Sequence, residues 1–437
     1  MATDRPGDRP GHRPGVGDLI DAVRYRLDSS WQRYPSIVLA GSPLRLFRTT
    51  PAGTHVLDRL ADGDDVEPSA LVDRLLDAGA IHPCAPARPP VHGVTVNRVT
   101  VVTPQLRTDA ASRIHDDGRI TIDDGSMPPL AGATNRLAIT SGPAAARNAA
   151  RPFIDTELVV FLDADVEAPD GWLEPLLAHF DDPKVGLVAP RVTGEPGSPL
   201  DLGDEPARIR SGTRVSYVPG AALVVRVAAF DDVGGFDPTL RFGEDVDFVW
   251  RLDEADWRCR YEPAGVVWHE PRATLGARLR QHAGYGTSAA PLALRHQGAL
   301  SPVRFNGWTA FVWAAIVGGH PVIGGAAAIG SSLALSRKLP DVPRAASFTL
   351  AMRGHLLAAR QIADAVRRAW WPIVLVGSIV SRRMRWIALA SVVADVRSAP
   401  TDIAYGWGVW SAMVRHRTCG PILPRFTAWP ERRPRPE

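Results

Sequence analysis

Apolar residues in this chain fall into short runs, and the residues that close each run are as informative as the runs. Val99-Thr100-Val101-Val102, Ile120-Thr121-Ile122 and Leu158-Val159-Val160-Phe161-Leu162 are too short for helices. They predict buried strands, and the helical stretches between them predict parallel pairing through crossover helices. In such a sheet ligands bind outside the carboxyl ends of the strands. The second run closes on Asp123-Asp124-Gly125-Ser126 and the third on Asp163-Ala164-Asp165. Acidic side chains therefore collect where a ligand would sit.

The pattern differs on either side. Ile37-Val38-Leu39-Ala40 and Leu44-Arg45-Leu46-Phe47-Arg48 predict two strands about a Gly41-Ser42-Pro43 turn. Thr50-Pro51 and Glu67-Pro68 each open a helical pattern, with Val56, Leu57 and Leu60 on one face of the first and Leu71, Val72, Leu75 and Leu76 in the second. These elements predict a small winged-helix-like α+β module over 18–86. A proline-rich linker follows, from Pro86 to about Gly93. The start, 1–17, is expected to be a disordered tail and not a signal peptide, which keeps the catalytic part in the cytoplasm. An α/β domain is expected over 94–300 and a helical region over 301–437. In the latter, Trp308 to Ser336 contains no Asp, Glu, Lys or Arg and is interrupted by His320-Pro321.

Composition narrows the functional classes. The chain has 437 residues, 45% hydrophobic and 22% charged, with 50 Lys plus Arg against 47 Asp plus Glu. That balance excludes wholesale disorder and gives no clustered basic footprint for nucleic acid. Cys84, Cys259 and Cys419 are far apart and show no metal-ligand spacing. A mean hydropathy of −0.06 argues against a transporter with many spans.

A diphosphate leaving group needs its charge neutralised, and carboxylates that grip a divalent cation do this. Asp163 and Asp165 suit that task. Taken alone such a triplet is more often a solvated loop, but this one ends an apolar strand. A carboxylate at Asp123 or Asp124 can accept from a nucleobase or ribose, with Gly125 allowing close approach; a plain β-turn is the alternative. Phe242-Gly243-Glu244-Asp245-Val246-Asp247 leads into a helix. Its acids either answer the helix dipole or include a general base for an acceptor hydroxyl. Asp245 is the expected base, with Glu244 at the acceptor. Gly142 to Asn148, including Arg147, suits a helix beneath a nucleotide, or is an ordinary alanine-rich helix start. His269, closing the strand Val266-Val267-Trp268, is an additional metal ligand or a structural histidine. Arg278, Arg280 and Tyr285 reach the diphosphate or lie on the surface.

In order, Val99–Pro104, Ile122–Ser126, Gly142–Asn148, Phe161–Asp165, Tyr217–Ala221 and Gly243–Arg251 resemble the family 2 glycosyltransferases with the GT-A fold. The resemblance covers roughly Val94 to Ala290. It implies a mostly parallel sheet and an inverting displacement using a UDP-sugar with Mg²⁺ or Mn²⁺. Carried over, Asp123 or Asp124 contacts the uridine, Asp163 and Asp165 serve diphosphate and metal, and Asp245 is the base; with the residues read above, Pro104, Arg147 and Arg280 are expected at the nucleotide-sugar, His269 at the metal and Glu244 in catalysis. Two departures stand out: only Gln105 to Arg119 separates the first two strands, and the Gln-x-x-Arg-Trp signature of processive synthases is absent. Gly171–Leu177, Arg214–Pro219, Tyr285–Pro291 and Arg368–Pro372 are similar to the glycosyltransferases of mycofactocin biosynthesis. That likeness implies glucose transfer onto a peptide-derived redox cofactor, building a β-1,4-linked glucan, and likens the 18–86 module to peptide-recognition modules.

Trp308 to Ser336 is long enough to span a bilayer, but His320-Pro321 favours a re-entrant or interfacial hairpin, or a buried one. Arg353, Arg360, Arg367 and Arg368 among Leu350, Leu356, Leu357 and Ile362 predict a helix at an anionic surface. The cytoplasmic face of the membrane is the expected location. An inactive scaffold holding a precursor peptide is the competing reading.

Overall fold

The computed structural model describes residues 23–84, 98–106, 118–194, 198–270 and 274–427. The expected tail, the expected linker and most of the connection between the first two α/β strands lie outside these residues.

The N-terminal module comprises β1 (Val23–Leu27), β2 (Gln32–Tyr34), β3 (Ile37–Ala40), β4 (Arg45–Arg48), α1 (Pro51–Asp62), β5 (Asp65–Val66), α2 (Ala70–Asp77) and β6 (Ile81–Pro83). Both helices start as their sequences dictate: the Thr50 hydroxyl accepts from Gly53 N, and the Ser69 hydroxyl from Val72 N. The strands form two three-stranded sheets, β5-β1-β6 and β2-β3-β4. One face of the second sheet sends Val38, Ala40 and Phe47 into a core with Leu57, Leu60 and Leu75. Its other face, with Ile37 and Leu39, is covered by Leu339 and Val342 from the C-terminal helices. Buried Arg258 ties the module to the next domain, donating to Asp77 and Asp73 of α2 and to Asp182.

The α/β domain contributes β7 (Val99–Gln105), β8 (Ile120–Asp123), β9 (Asn135–Arg136), α3 (Pro143–Ala149), β10 (Leu158–Leu162), β11 (Val166–Glu167), α4 (Glu174–Leu177), β12 (Val185–Thr193), β13 (Ala207–Arg208), β14 (Ala222–Arg226), α5 (Val227–Asp232), α6 (Glu244–Glu254), β15 (Arg258–His269), α7 (Leu275–Thr287) and α8 (Ala289–Arg295). Its sheet has nine strands in the order β11-β15-β12-β14-β10-β7-β8-β9, with β13 beside β15. Strand β10 shows why the runs lack alternation. Val159 and Phe161 enter one core with Phe230 and Phe248, while Leu158, Val160 and Leu162 enter another with Leu176 and Phe180.

The expectation of a mostly parallel sheet is corrected to a mixed one. Parallel pairs (β7 with β10, β7 with β8, β8 with β9, β12 with β15) are matched by antiparallel ones (β14 with β10, β14 with β12, β11 and β13 with β15). Ala222-Leu223-Val224-Val225 is apolar on both faces, so burial alone does not set its direction.

The C-terminal helices are α9 (Gly307–Val317), α10 (Pro321–Lys338), α11 (Arg344–Ala365), α12 (Trp371–Val380), α13 (Arg382–Ala394) and α14 (Ala399–His416), flanked by the β16 (Arg304–Phe305) and β17 (Arg425–Phe426) pair. His320-Pro321 separates α9 from α10, which pack as a hairpin. Among the described residues no helix is long and apolar enough to cross a membrane. A π-helical turn, Val366–Trp370, joins α11 to α12. Helix α14 returns to cross α7 so closely that a Cβ on Gly408 would lie 2.9 Å from Gly286 Cα.

Candidate active site

A cavity of about 1600 Å³ opens at the carboxyl ends of β8 and β10. Pro104, Asp124, Arg147, Asp163, Asp165, Glu244, Asp245, His269 and Arg280 all line it, from seven separate stretches of chain. Asp123 does not. Its carboxylate is fully buried, accepting from Ser126 N at 2.8 Å, Leu130 N at 3.1 Å and Arg136 Nε at 3.2 Å. Burial would raise its pKa, but these donors hold it below the usual range. Asp123 therefore shapes the loop, and Asp124 is the carboxylate at the cavity wall. Asp124 braces the start of α3, accepting from Ser141 N at 2.7 Å and Gly142 N at 2.9 Å. Gly125, at φ +74°, is indispensable to the turn: a Cβ there would sit 2.5 Å from Thr140 N.

Asp165 and His269 meet by strand pairing. Val166 stands opposite His269 in the β11–β15 ladder, bringing Asp165 Oδ2 to 3.5 Å from His269 Nε2. A carboxylate oxygen and an imidazole nitrogen at the mouth suit Mg²⁺ or Mn²⁺. Among the described residues no group of three or more such ligands converges. Asp163, one residue before the exposed Ala164, points inward instead.

The sequence reading placed Arg147 at the nucleotide-sugar, and the structure gives its guanidinium a different occupation. It is 1% exposed and donates to Asp163 Oδ1 at 2.8 Å, Glu244 Oε1 at 3.1 Å and the Gly220 carbonyl at 3.0 Å, stacking on Phe236. Arg147 is a tie between the two acidic clusters. Burial raises the Asp163 pKa, opposed by Arg147.

Helix α6 begins at the cavity with Glu244 and Asp245. Both Asp245 oxygens accept backbone N–H groups, from Gly220 and Val246, each at 2.8 Å. Burial nevertheless pushes its pKa up, making it a stronger base. Burial and the neighbouring Asp245 charge push Glu244 up to about 7, against the pull of Arg147. The helix is anchored behind these residues. Asp247 accepts from Arg251 at 2.7 Å and faces Arg295 and His296, and these partners hold its pKa at about 2 despite burial.

Residues outside the expected set come from the loop before β14, from α7, from the π-turn and from α14. Tyr217, His282, Arg368 and Tyr405 also line the cavity. The reading of Arg367 and Arg368 as surface-seeking cations is corrected. Arg367 is 4% exposed, bonded to Asp402, Asp364 and the Ser391 carbonyl, and Arg368 faces the cavity. The two arginines are adjacent in sequence and leave the turn on different faces, one buried and one toward the cavity.

Residues 136–212 match the model for Glycosyl transferase family 2, and 201–414 that for Glycosyl transferase family group 2. The chain is similar to the pre-mycofactocin glycosyltransferase of Mycobacterium tuberculosis, with 37% identity over 90% of this chain and 94% of that one. It is also 28% identical, over 38% of its length and 64% of the relative's, to the N-acetylglucosaminyl-diphospho-decaprenol L-rhamnosyltransferase of the same organism. Among solved structures it resembles a mannosyltransferase from Pyrobaculum calidifontis in complex with GDP-Man and Mn²⁺. The TM-score there is 0.41 at 16% identity, covering 73% of this chain and 87% of that one.

Proposed function

The chain belongs to the family 2 glycosyltransferases, alongside the pre-mycofactocin glycosyltransferases, and on that premise we propose that it transfers glucose from UDP-glucose to a hydroxyl of a mycofactocin-type acceptor, with inversion. The observation that carries this reading is the convergence of Asp163, Asp165, His269, Glu244 and Asp245 on one cavity.

Asp245 accepts the acceptor's proton, so the oxygen can attack the anomeric carbon while the bond from that carbon to the diphosphate breaks. The products are the glycoside, UDP and a proton held on the enzyme. Asp165 and His269 are the residues that would hold Mg²⁺ or Mn²⁺. The ion, when bound, neutralises charge building on the leaving diphosphate. Arg147 keeps Asp163 and Glu244 in place without adding charge to the donor pocket. Repetition on the new sugar would build a β-1,4-linked glucan. An inactive scaffold would not need these carboxylates about a solvent-filled cavity.

We further assign the protein to the cytoplasmic face of the membrane, lying on it without crossing. Helices α12 and α13 expose Val376, Ile379, Val380, Trp386 and Val393 beside Arg382 and Arg385. Apolar surface flanked by cations fits an anionic lipid interface. The N-terminal module is assigned to peptide recognition, which would fall to its edge strands because Leu339 and Val342 cover the sheet face.

Incubation of the purified chain with UDP-glucose, Mn²⁺ and pre-mycofactocin tests the reaction. We expect a glucosylated product from the wild type and none from Asp245→Asn, with UDP binding retained in both. Product from Asp245→Asn at the wild-type rate would remove the base assignment, and no product from the wild type would favour the scaffold.

A further inference from the structure

One wall of the cavity is unused by the chemistry above. It is built where α7, the π-helical turn and α14 meet, and it carries His282, Arg368 and Tyr405, with Tyr217 beside them. Arg368 is the cation of this wall. Its side chain is 46% exposed, and its guanidinium lies 4.6 Å from the centre of the Tyr405 ring. Its one ion pair is long, 3.5 Å to Asp402, and that carboxylate also serves Arg367 at 3.0 Å. Among the described residues Arg368 donates no hydrogen bond, so its fork of N–H groups faces the cavity with capacity to spare.

The backbone that presents Arg368 is unusual and heavily braced. π-Helical turns are rare and gather at functional sites. Here the turn sends Arg367 into the protein and Arg368 into the cavity. Trp410 Nε1 donates to the Ala369 carbonyl at 2.7 Å, and Trp370 Nε1 to the Ile422 carbonyl at 2.8 Å. Trp371 lies against Gly406, where a Cβ would come within 2.5 Å of its Nε1 and 2.6 Å of the Arg368 carbonyl oxygen. Three tryptophans and a glycine thus fix the position of one arginine.

Its neighbours place it on the acceptor side. Tyr217, which lines the same cavity, lies three residues before Gly220, whose N–H donates to Asp245. The metal pair, Asp165 and His269, is held by the β11–β15 ladder at the end of the sheet. We propose that Arg368 is the acceptor-recognition residue, binding a carbonyl or carboxylate oxygen of the acceptor while its hydroxyl is offered to Asp245. A planar guanidinium stacked on a tyrosine suits paired oxygen atoms in a way a lysine ammonium does not. This inference rests on the glycosyltransferase reading and assigns the second substrate's subsite.

The test is titration of pre-mycofactocin into the full chain loaded with UDP and Mn²⁺, a measurement that needs no turnover. Arg368→Met should weaken acceptor binding roughly ten- to hundredfold, Arg368→Lys should recover part of it, and both should bind UDP as the wild type does. Gly406→Ala, which displaces the turn from outside the cavity, should weaken acceptor binding in the same direction. Salt dependence of the wild-type affinity separates a carboxylate, which weakens with salt, from a carbonyl, which does not. Unchanged acceptor affinity in Arg368→Met, equal loss of UDP binding, or no acceptor binding by the wild type would each overturn the proposal. Failure of the transfer reading shows separately, as acceptor binding without product.

Discussion

Arg147 Nη1 stands 3.1 Å from Glu244 Oε1 inside the cavity wall, and the same guanidinium reaches Asp163 at 2.8 Å. Removing the cation leaves buried Glu244 and part-buried Asp163 without their shared partner. We expect Arg147→Met to lose about 3–5 kcal/mol of stability, read as a lower denaturant midpoint. A loss under 1 kcal/mol would show that water replaces the guanidinium. The variant should also bind UDP-glucose poorly, through displacement of Asp163.

The cross-strand pair Asp165 and His269 makes a prediction about metal. Asp165→Ala should cut Mn²⁺-dependent turnover by roughly a thousandfold, the scale of losing several kcal/mol of charge stabilisation. His269→Ala should raise the Mn²⁺ concentration for half-maximal rate by at least roughly tenfold. Rates insensitive to Mn²⁺ in the wild type would end the metal assignment.

Protonation of the Glu244–Asp245 pair sets a pH limb. Burial and mutual repulsion hold a proton on the pair up to about pH 7, and a protonated base does not accept another. The rate should therefore climb as pH rises through about 7. Glu244→Gln removes one negative charge beside Asp245, which lowers the pKa of the base and moves the limb to lower pH. A limb that stays in place in this variant would assign it to another group.

His296 gives the opposite sign in stability. Burial would lower its pKa, but hydrogen bonds to Asp247 and Glu254 raise it above 6.5. A folded pKa above the unfolded value means the stabilisation is fully present below about pH 6.5 and is lost as pH rises through the folded pKa. The Tm difference between wild type and His296→Gln should be largest near pH 6 and shrink toward pH 8.

Membrane docking is tested with vesicles. The chain should co-float with phosphatidylglycerol vesicles and less with neutral ones. Reversal at Arg382 and Arg385 to glutamate should weaken binding at least roughly tenfold, at about 1 kcal/mol per basic residue. Equal flotation on both lipids would leave apolar contact alone as the anchor.

The parts of the site legible in the sequence are those made by short segments. Asp163 and Asp165 follow an apolar run, and Asp245 opens a helix, so position along the chain announces position at the sheet edge. Three features were not legible. The direction of β14 escaped because burial on both faces carries no polarity. The ties of Arg147 to Asp163 and Glu244 were hidden because only the fold brings these partners to it. Arg368 was missed because the wall it joins is assembled from α7, the π-turn and α14, which only the fold brings together.

The close crossing of α7 and α14 fixes an order of assembly. Gly286 and Gly408 sit in distant stretches of the chain, so the wall bearing Tyr405 cannot form until α14 has been made. A polypeptide stopped after α8 would retain Asp163, Asp165, Glu244 and Asp245 and still present an open trough. On the acceptor role proposed for Arg368, competence to choose an alcohol over water arrives with α14, after the carboxylates are in place.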